Sequence, residues 1–180
     1  MDREQALSAY EVVNNYSKED LARIFFKYGE DKFSNNIAKK IVEYRANKPI
    51  ETTLELVEVI KTAVPMKFRI DKHPARQIFQ AIRIEVNKEL DVIEPAIEQA
   101  LSLIKVGGRV AVITFHSLED RLVKNYMKAG NCDGVVSKDF YGNVISPFEV
   151  LTRKPIMATE EEMEMNPRSR SAKLRIAKMK

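Results

Sequence analysis

The densest set of chemically capable side chains in this sequence is Phe115-His116-Ser117-Leu118-Glu119-Asp120-Arg121. An imidazole, a hydroxyl, two carboxylates and a guanidinium follow one another almost without interruption. Together they offer acceptors for a substrate amine or hydroxyl, a proton carrier, and a cation for a phosphate. Their position strengthens the reading. They follow Val110-Ala111-Val112-Ile113-Thr114, a short apolar, β-branched run, and they open a helical stretch. In open α/β sheets ligands bind beyond the carboxyl ends of strands, where the next helix presents N–H groups. The plainer reading is local: Ser117 caps the helix, the acids complement its first turn, and Arg121 pairs with Asp120. A Ser-His hydrolase is disfavoured, because adjacent residues rarely form the needed hydrogen bond and no G-x-S-x-G elbow surrounds Ser117.

Two further groups invite the same question. Asn166-Pro167-Arg168-Ser169-Arg170-Ser171 is a turn with two guanidiniums and two hydroxyls, donors suited to phosphate oxygens. It is also readable as a surface turn leading into a last strand. It sits in a segregated terminus: residues 160–164 hold four glutamates, while 166–180 hold six Lys/Arg and no acid, in a chain of net charge +4. Such a basic end suits phosphate contact, and equally a solvated tail. Gln80, Arg83 and Asn87 fall on nearly one helical face, which reads as solvated.

The elements that would carry these residues fall into two characters. Ser17 is placed to cap a helix bearing Leu21, Ile24, Phe25 and Tyr28, with Gly29 as its stop. A second helix carries Phe33, Ile37 and Ile41. A third begins at a capping box, Thr52-Thr53-Leu54-Glu55, with a stripe of Leu54, Val57, Ile60 and Val64, and ends at Pro65. Residues 66–74 read as a linker, with Pro74 introducing a helix from Ala75 that buries Phe79, Ile82 and Val86. Pro95 predicts a break between 91 and 95, and a further helix runs to Ile104 and ends at Gly107-Gly108. The run 110–115 then reads as a strand buried on both faces. A helix from Leu118 to Lys128 follows, with Leu122, Val123 and Tyr126 inward. Residues 130–147 form a polar loop. Strands are expected at Glu149–Arg153 and Lys173–Lys178, the last with Leu174 and Ile176 inward and Arg175 and Lys178 wet.

Composition narrows the class. The chain has 180 residues, 44% apolar and 31% charged, enough for one packed domain or slightly more. No run of about 18 apolar residues offers a membrane span, and no apolar segment follows the first residues as in a signal peptide. A single cysteine, Cys132, precludes an internal disulfide and points to a cytoplasmic protein. Two histidines, His73 and His116, make a zinc site implausible. There is no G-x-G-x-x-G and no Asp/Asn/Ser-Pro-Pro-aromatic tetrapeptide; Ser146-Pro147-Phe148 reads as loop. One buried strand with two later strands does not complete a doubly wound sheet, and its free edge needs cover. The sequence thus reads as part of an α/β domain preceded by helices, with aggregation or a dimer expected if that edge stays bare.

The ordered set of motifs resembles one family, the bacterial 16S rRNA cytosine-N4 methyltransferases of subfamily H. The resemblance rests on Tyr28-Gly29-Glu30, His73-Pro74-Ala75, Phe79-Gln80-Ala81-Ile82-Arg83-Ile84, Val86-Asn87-Lys88-Glu89-Leu90, Gly107-Gly108-Arg109, the 115–121 cluster, and Asn166 through Arg175. It implies an α/β fold: the C-terminal part of a class I (Rossmann-like) methyltransferase, residues 71–180, preceded by an all-α insertion subdomain, residues 1–70. Met1-Asp2 resembles the end of a string that precedes the insertion in the family, so the chain is expected to start at an internal methionine, with the cofactor-binding residues upstream of Met1. The implied cofactor is S-adenosyl-L-methionine and the implied partner is 16S rRNA in the small ribosomal subunit, with no membrane and no metal. By resemblance His116, Ser117 and Asp120 are acceptor-side catalytic candidates. Arg121, Asn166, Arg168, Arg170 and Arg175 are RNA-binding candidates. Other readings are a non-catalytic RNA- or ribosome-binding module derived from such an enzyme, and a helical protein-interaction protein.

Overall fold

Five helices gather in the first half of the computed structural model, which describes residues 7–68, 73 and 75–180. They are α1 (Ala9–Asn15), α2 (Lys18–Lys27), α3 (Ser34–Arg45), α4 (Thr53–Ala63) and α5 (Ala75–Asn87). Hydroxyl side chains start three of them. Ser8 and Thr52 form full capping boxes with Glu11 and Glu55, and Ser17 accepts from the Asp20 amide, so orphan N-terminal N–H groups are satisfied locally. The apolar stripes of α2 (Leu21, Ile24, Phe25) and α3 (Ile37, Ala38, Ile41) meet Val59 and Ile60 of α4 and Ile78 and Ala81 of α5. Fully burying each of the large side chains contributes roughly 1.5–3 kcal/mol, which is what holds short helices that would not persist alone.

Polar groups lock this bundle. Asn14 donates to the Ile50 carbonyl and accepts from the Ile50 amide, both at 2.9 Å. Arg45 donates to the carbonyls of Val13 and Tyr16, at the C-terminal end of α1. Gln80 donates to the Tyr28 carbonyl at 3.0 Å, and Arg83 and Asn87 both bond Glu89. The face read as solvated is therefore engaged with the protein's own carbonyl and carboxylate.

Two details depart from the sequence pattern. The buried stripe of α4 is Leu56, Val59, Ile60 and Ala63, while Leu54 is 75% exposed, so the helix is rotated from the expected phase. Gly29 stops α2 without a left-handed backbone. A Cβ there would lie 2.6 Å from the Phe25 carbonyl oxygen and 2.9 Å from that of Gln77, and Glu30 takes the positive φ of 50° instead. The glycine is required by two carbonyls, one in the last turn of α2 and one in α5, and not by a left-handed backbone.

The chain divides between Glu89 and Leu90, later than the expected boundary at residue 70, because α5 puts Ile78, Ala81 and Ile82 into the helical core. A 3-10 turn, Met66–Phe68, opens the expected linker. Residues 69–72 and Pro74 of that linker, and Met1-Asp2, lie outside the described residues.

The second unit, Leu90–Lys180, carries α6 (Ile93–Leu103), β1 (Arg109–Thr114), α7 (Ser117–Ala129), β2 (Phe148–Val150), β3 (Ile156–Met157), α8 (Glu160–Met165), a 3-10 turn (Pro167–Ser171) and β4 (Lys173–Met179). Pro95 falls in the first turn of α6, where its missing N–H costs nothing. β4 runs antiparallel to β1 on one side and to β2 and β3 on the other. This is a mixed α/β chain with a small antiparallel sheet. Ile97 of α6, Val123, Tyr126 and Met127 of α7, and Phe148 and Ala177 of the sheet form one core.

Two strand expectations are corrected. β1 is not buried on both faces: Val110 and Val112 pack toward the core, while Ile113 is 59% exposed. In β4 the faces are reversed. Arg175 and Ala177 are the buried pair, and Leu174 and Ile176 are half-buried on the other side.

Candidate active site at the carboxyl end of β1

The polar cluster lies where β1 ends and α7 begins, as its position in the pattern predicted. The cap, however, is His116 and not Ser117. The His116 Nδ1 accepts from the Glu119 amide at 3.3 Å. Glu119 Oε2 reaches back to the amides of Phe115 (2.8 Å) and His116 (3.2 Å). An accepting Nδ1 places the proton of a neutral imidazole on Nε2, which sits 3.3 Å from Glu119 Oε1. His116 and Glu119 thus close the N-terminus of α7 as a reciprocal pair. Ser117 is exposed at the first helical position. Glu119 was part of the sequence cluster but not among the site candidates, although the His-x-x-Glu spacing is that of a capping box.

Asp120 faces inward. Its carboxylate accepts from Arg175 twice, Nε at 2.6 Å and Nη2 at 3.0 Å, and Lys173 Nζ lies 3.7 Å away. The side chains of Asp120 and Arg175 are only 12% and 7% exposed. The Arg175 guanidinium holds the Asp120 carboxyl below the usual carboxylate range against the opposing effect of burial. This corrects two assignments. Arg175 is buried in a two-pronged ion pair and does not face an RNA backbone. Asp120 is paired with Arg175 rather than with its neighbour Arg121. Nothing local in the sequence marks a pair separated by 55 positions.

The second candidate group arrives at the same end of the sheet. Thr114, the last residue of β1, pairs with Lys173, the first of β4, directly after the Pro167–Ser171 turn. Asn166 closes that turn through its main chain, donating to Glu162 O (2.8 Å) and accepting from the Ser169 amide (2.9 Å). Arg168 and Arg170 are exposed, and at about three residues per turn they splay apart rather than clamp a single point. Ser169 between them is buried, and its hydroxyl has no hydrogen-bond partner among the described residues. Arg121 is exposed on α7. Lys173 is the cation the sequence reading left out; it stands between the ion pair and the basic turn.

Beside the site, a groove of about 350 Å³ runs along β1, lined by Ile93, Ile97, Ala100, Val112, Ile113 and Glu119. Among the described residues β1 pairs with β4 alone, so its other edge keeps its backbone groups uncommitted to a sheet.

Against known families, the profile of the MraW methylase family matches residues 1–180. The chain belongs to that family. It is therefore a protein of the methyltransferase kind, and the strand-end cluster is the natural place to seek its acceptor chemistry. The donor side is a different matter. Among the described residues no glycine-rich turn leads from a strand into a helix, and the amides of Phe115 and His116 before α7 and of Glu119 in its first turn are taken by the capping pair. These residues do not by themselves fit a nucleoside-type methyl donor. No described helix is long and apolar enough to cross a membrane.

Proposed function

We propose that this chain supplies the acceptor side of S-adenosylmethionine-dependent methylation at N4 of a cytosine in 16S rRNA, within a class I methyltransferase fold acting in the cytoplasm on the small ribosomal subunit. The observation that carries the reading is the register Thr114–Lys173 in a member of the methylase family, which joins the polar strand end to the exposed Arg168–Arg170 turn. The uncommitted edge of β1 is where further strands of such a sheet would pair.

The chemistry asks little of the acceptor side beyond placement. The cytosine amine is a poor nucleophile because its lone pair is delocalised into the ring. Hydrogen-bond acceptors at the amine favour its pyramidal, nucleophilic form, and alignment supplies most of the rate gain. The base must leave its stack to be reached. Ser117, exposed at the first turn of α7, is the contact we assign to the base. His116 and Glu119 fix that turn, and Asp120 fixes its seating on β4 through Arg175. Arg121, Asn166, Arg168 and Arg170 meet the RNA, the arginines at its phosphates.

The test is methyl transfer from labelled S-adenosylmethionine to small subunits lacking the modification, followed by mass spectrometry of the nucleosides. N4-methylcytidine in the 16S rRNA supports the reading. Methylation at another atom or another RNA sinks it. The committed amides of Phe115, His116 and Glu119 at the start of α7 favour one alternative, a non-catalytic RNA- or ribosome-binding module. That reading predicts salt-sensitive subunit binding with no methyl transfer and no calorimetric heat on titration with S-adenosylmethionine.

A further inference from the structure

The helical unit carries a group of lysines and aromatic rings that none of the foregoing uses. Lys32 Nζ stands 3.6 Å from the centroid of the Phe68 ring and 5.2 Å from that of Phe33. Lys67 Nζ is 5.1 Å from Phe68, and the Phe33 and Phe68 rings pack at 5.2 Å, tilted by 55°. Lys27, closing α2, lies 5.1 Å over Tyr28. Phe68 remains 38% exposed. Elsewhere in this unit Lys40, Lys48 and Lys61 hold carboxylates at 2.7–2.8 Å. Lys27, Lys32 and Lys67 have no carboxylate partner among the described residues. Asp31, the acid beside Lys32 in the chain, is buried and turned to accept the Phe33 amide at 2.6 Å. Asp31 feels the Lys32 charge without forming an ion pair with it, so Lys32 and Lys67 stand beside a partly exposed apolar ring with no carboxylate bonded to either among the described residues.

Uncompensated ammonium groups around an exposed ring are the chemistry that holds unpaired nucleic acid: phosphates meet the cations, and a base stacks on the ring. An acidic protein surface would use the charge but has no need of the ring, and an apolar partner would meet the Lys32 and Lys67 charges on the rim of Phe68. We infer that Lys32, Lys67, Phe33 and Phe68, with Lys27 beside Tyr28, form a contact for single-stranded RNA on the helical unit, separate from the strand-end cluster. The inference rests on the reading that the substrate is RNA. It gives the helical unit a part in holding the strand whose base must be unstacked.

The experiment measures binding of a fluorescently labelled single-stranded oligoribonucleotide to the full chain over a salt series. Replacing Lys32 and Lys67 together by Glu should weaken binding about tenfold or more and reduce the log–log salt slope by about 1.4, at ~0.7 for each lost phosphate contact. Phe68→Leu keeps an apolar filling without a π face. It should weaken binding by about tenfold, within the range for losing one stacked base, and leave the slope unchanged. Phe68→Trp should bind as the unaltered chain does, and its emission, the only tryptophan in the sequence, should be quenched by the RNA. Normal binding by both the charge-reversed and the Leu variants overturns the inference. If those variants bind normally while Arg168→Ala/Arg170→Ala does not, the RNA reading stands and this surface is wrong. Equal affinity for a duplex of the same length overturns the stacking contact. No RNA binding by the unaltered chain overturns the surface, and the methyl-transfer assay decides the activity separately.

Discussion

Replacing Arg175 by Ala tests whether the buried ion pair builds the site or touches its substrate. The substitution leaves the Asp120 carboxylate 12% exposed, without its contacts at 2.6 and 3.0 Å and with only Lys173 at 3.7 Å. Removing one partner of a buried pair costs about 3–5 kcal/mol, because the charge left behind is uncompensated. With a urea m-value of about 2 kcal/mol/M, the unfolding midpoint should fall by roughly 2 M. Replacing both partners by apolar side chains of similar volume, Asp120→Leu with Arg175→Met, should recover most of that loss. The pH dependence follows from the direction of the shift. The folded Asp120 titrates lower than the unfolded group, so its contribution is complete above the unfolded value of about 3.9 and disappears as pH falls through the folded one. Asp120→Asn should flatten the acid limb of the stability profile. A midpoint shift below about 0.5 M for Arg175→Ala, with weaker RNA binding and a lower salt slope, would refute the structural role and return Arg175 to the RNA surface.

The other perturbations are simpler. Arg168→Ala should weaken RNA binding for all sequences and lower the salt slope by about one, with no change in the urea midpoint; an unchanged slope removes Arg168 from the RNA contact. Gly29→Ala should destabilise the helical unit by about 1–3 kcal/mol, because the Cβ would press on two backbone carbonyls at 2.6 and 2.9 Å; thermal unfolding identical to the unaltered chain would contradict the close approach of α5. Glu55 is pulled down to about 2 by Lys48 and then by the amides of Glu51 and Thr52. A lowered folded value means its capping contribution is present above the unfolded value and is lost only as pH falls through about 2, so a carboxyl titration by NMR with a midpoint near that of a free glutamate would show the box to be open.

Much of the fold was legible because it is specified locally. The capping box at Thr52–Glu55, the strand after Gly107-Gly108 and the helix beginning near Ser117 all come from patterns a few residues long. What the sequence concealed was set by partners far along the chain. Leu54 and Val57 fit a helical stripe as well as Leu56 and Val59 do, and only packing against α3 and α5 selects the second pair. The strand at 173–179 alternates apolar with basic residues, so the wet face seemed evident. Asp120, 55 positions earlier, reverses it by giving Arg175 a partner worth burying. Gly29 reads as a left-handed stop, and part of the reason for it lies far along the chain at Gln77.

The same distinction bears on what the polar cluster does. Five polar residues within six positions at a strand end read as a catalytic set, yet the fold engages His116, Glu119 and Asp120. His116 accepts the Glu119 amide, Glu119 accepts the amides of Phe115 and His116, and Asp120 is paired with Arg175. Ser117 and Arg121 on α7 and Arg168 and Arg170 on the basic turn are exposed. On the proposed reading, a site arranged in this way serves to position an acceptor. That suits a transfer whose nucleophile is a neutral amine, for which alignment matters more than proton abstraction. A hydrolytic or nucleophilic chemistry would need His116 turned toward Ser117, which would open the N-terminus of α7. The capping geometry therefore argues against acyl transfer.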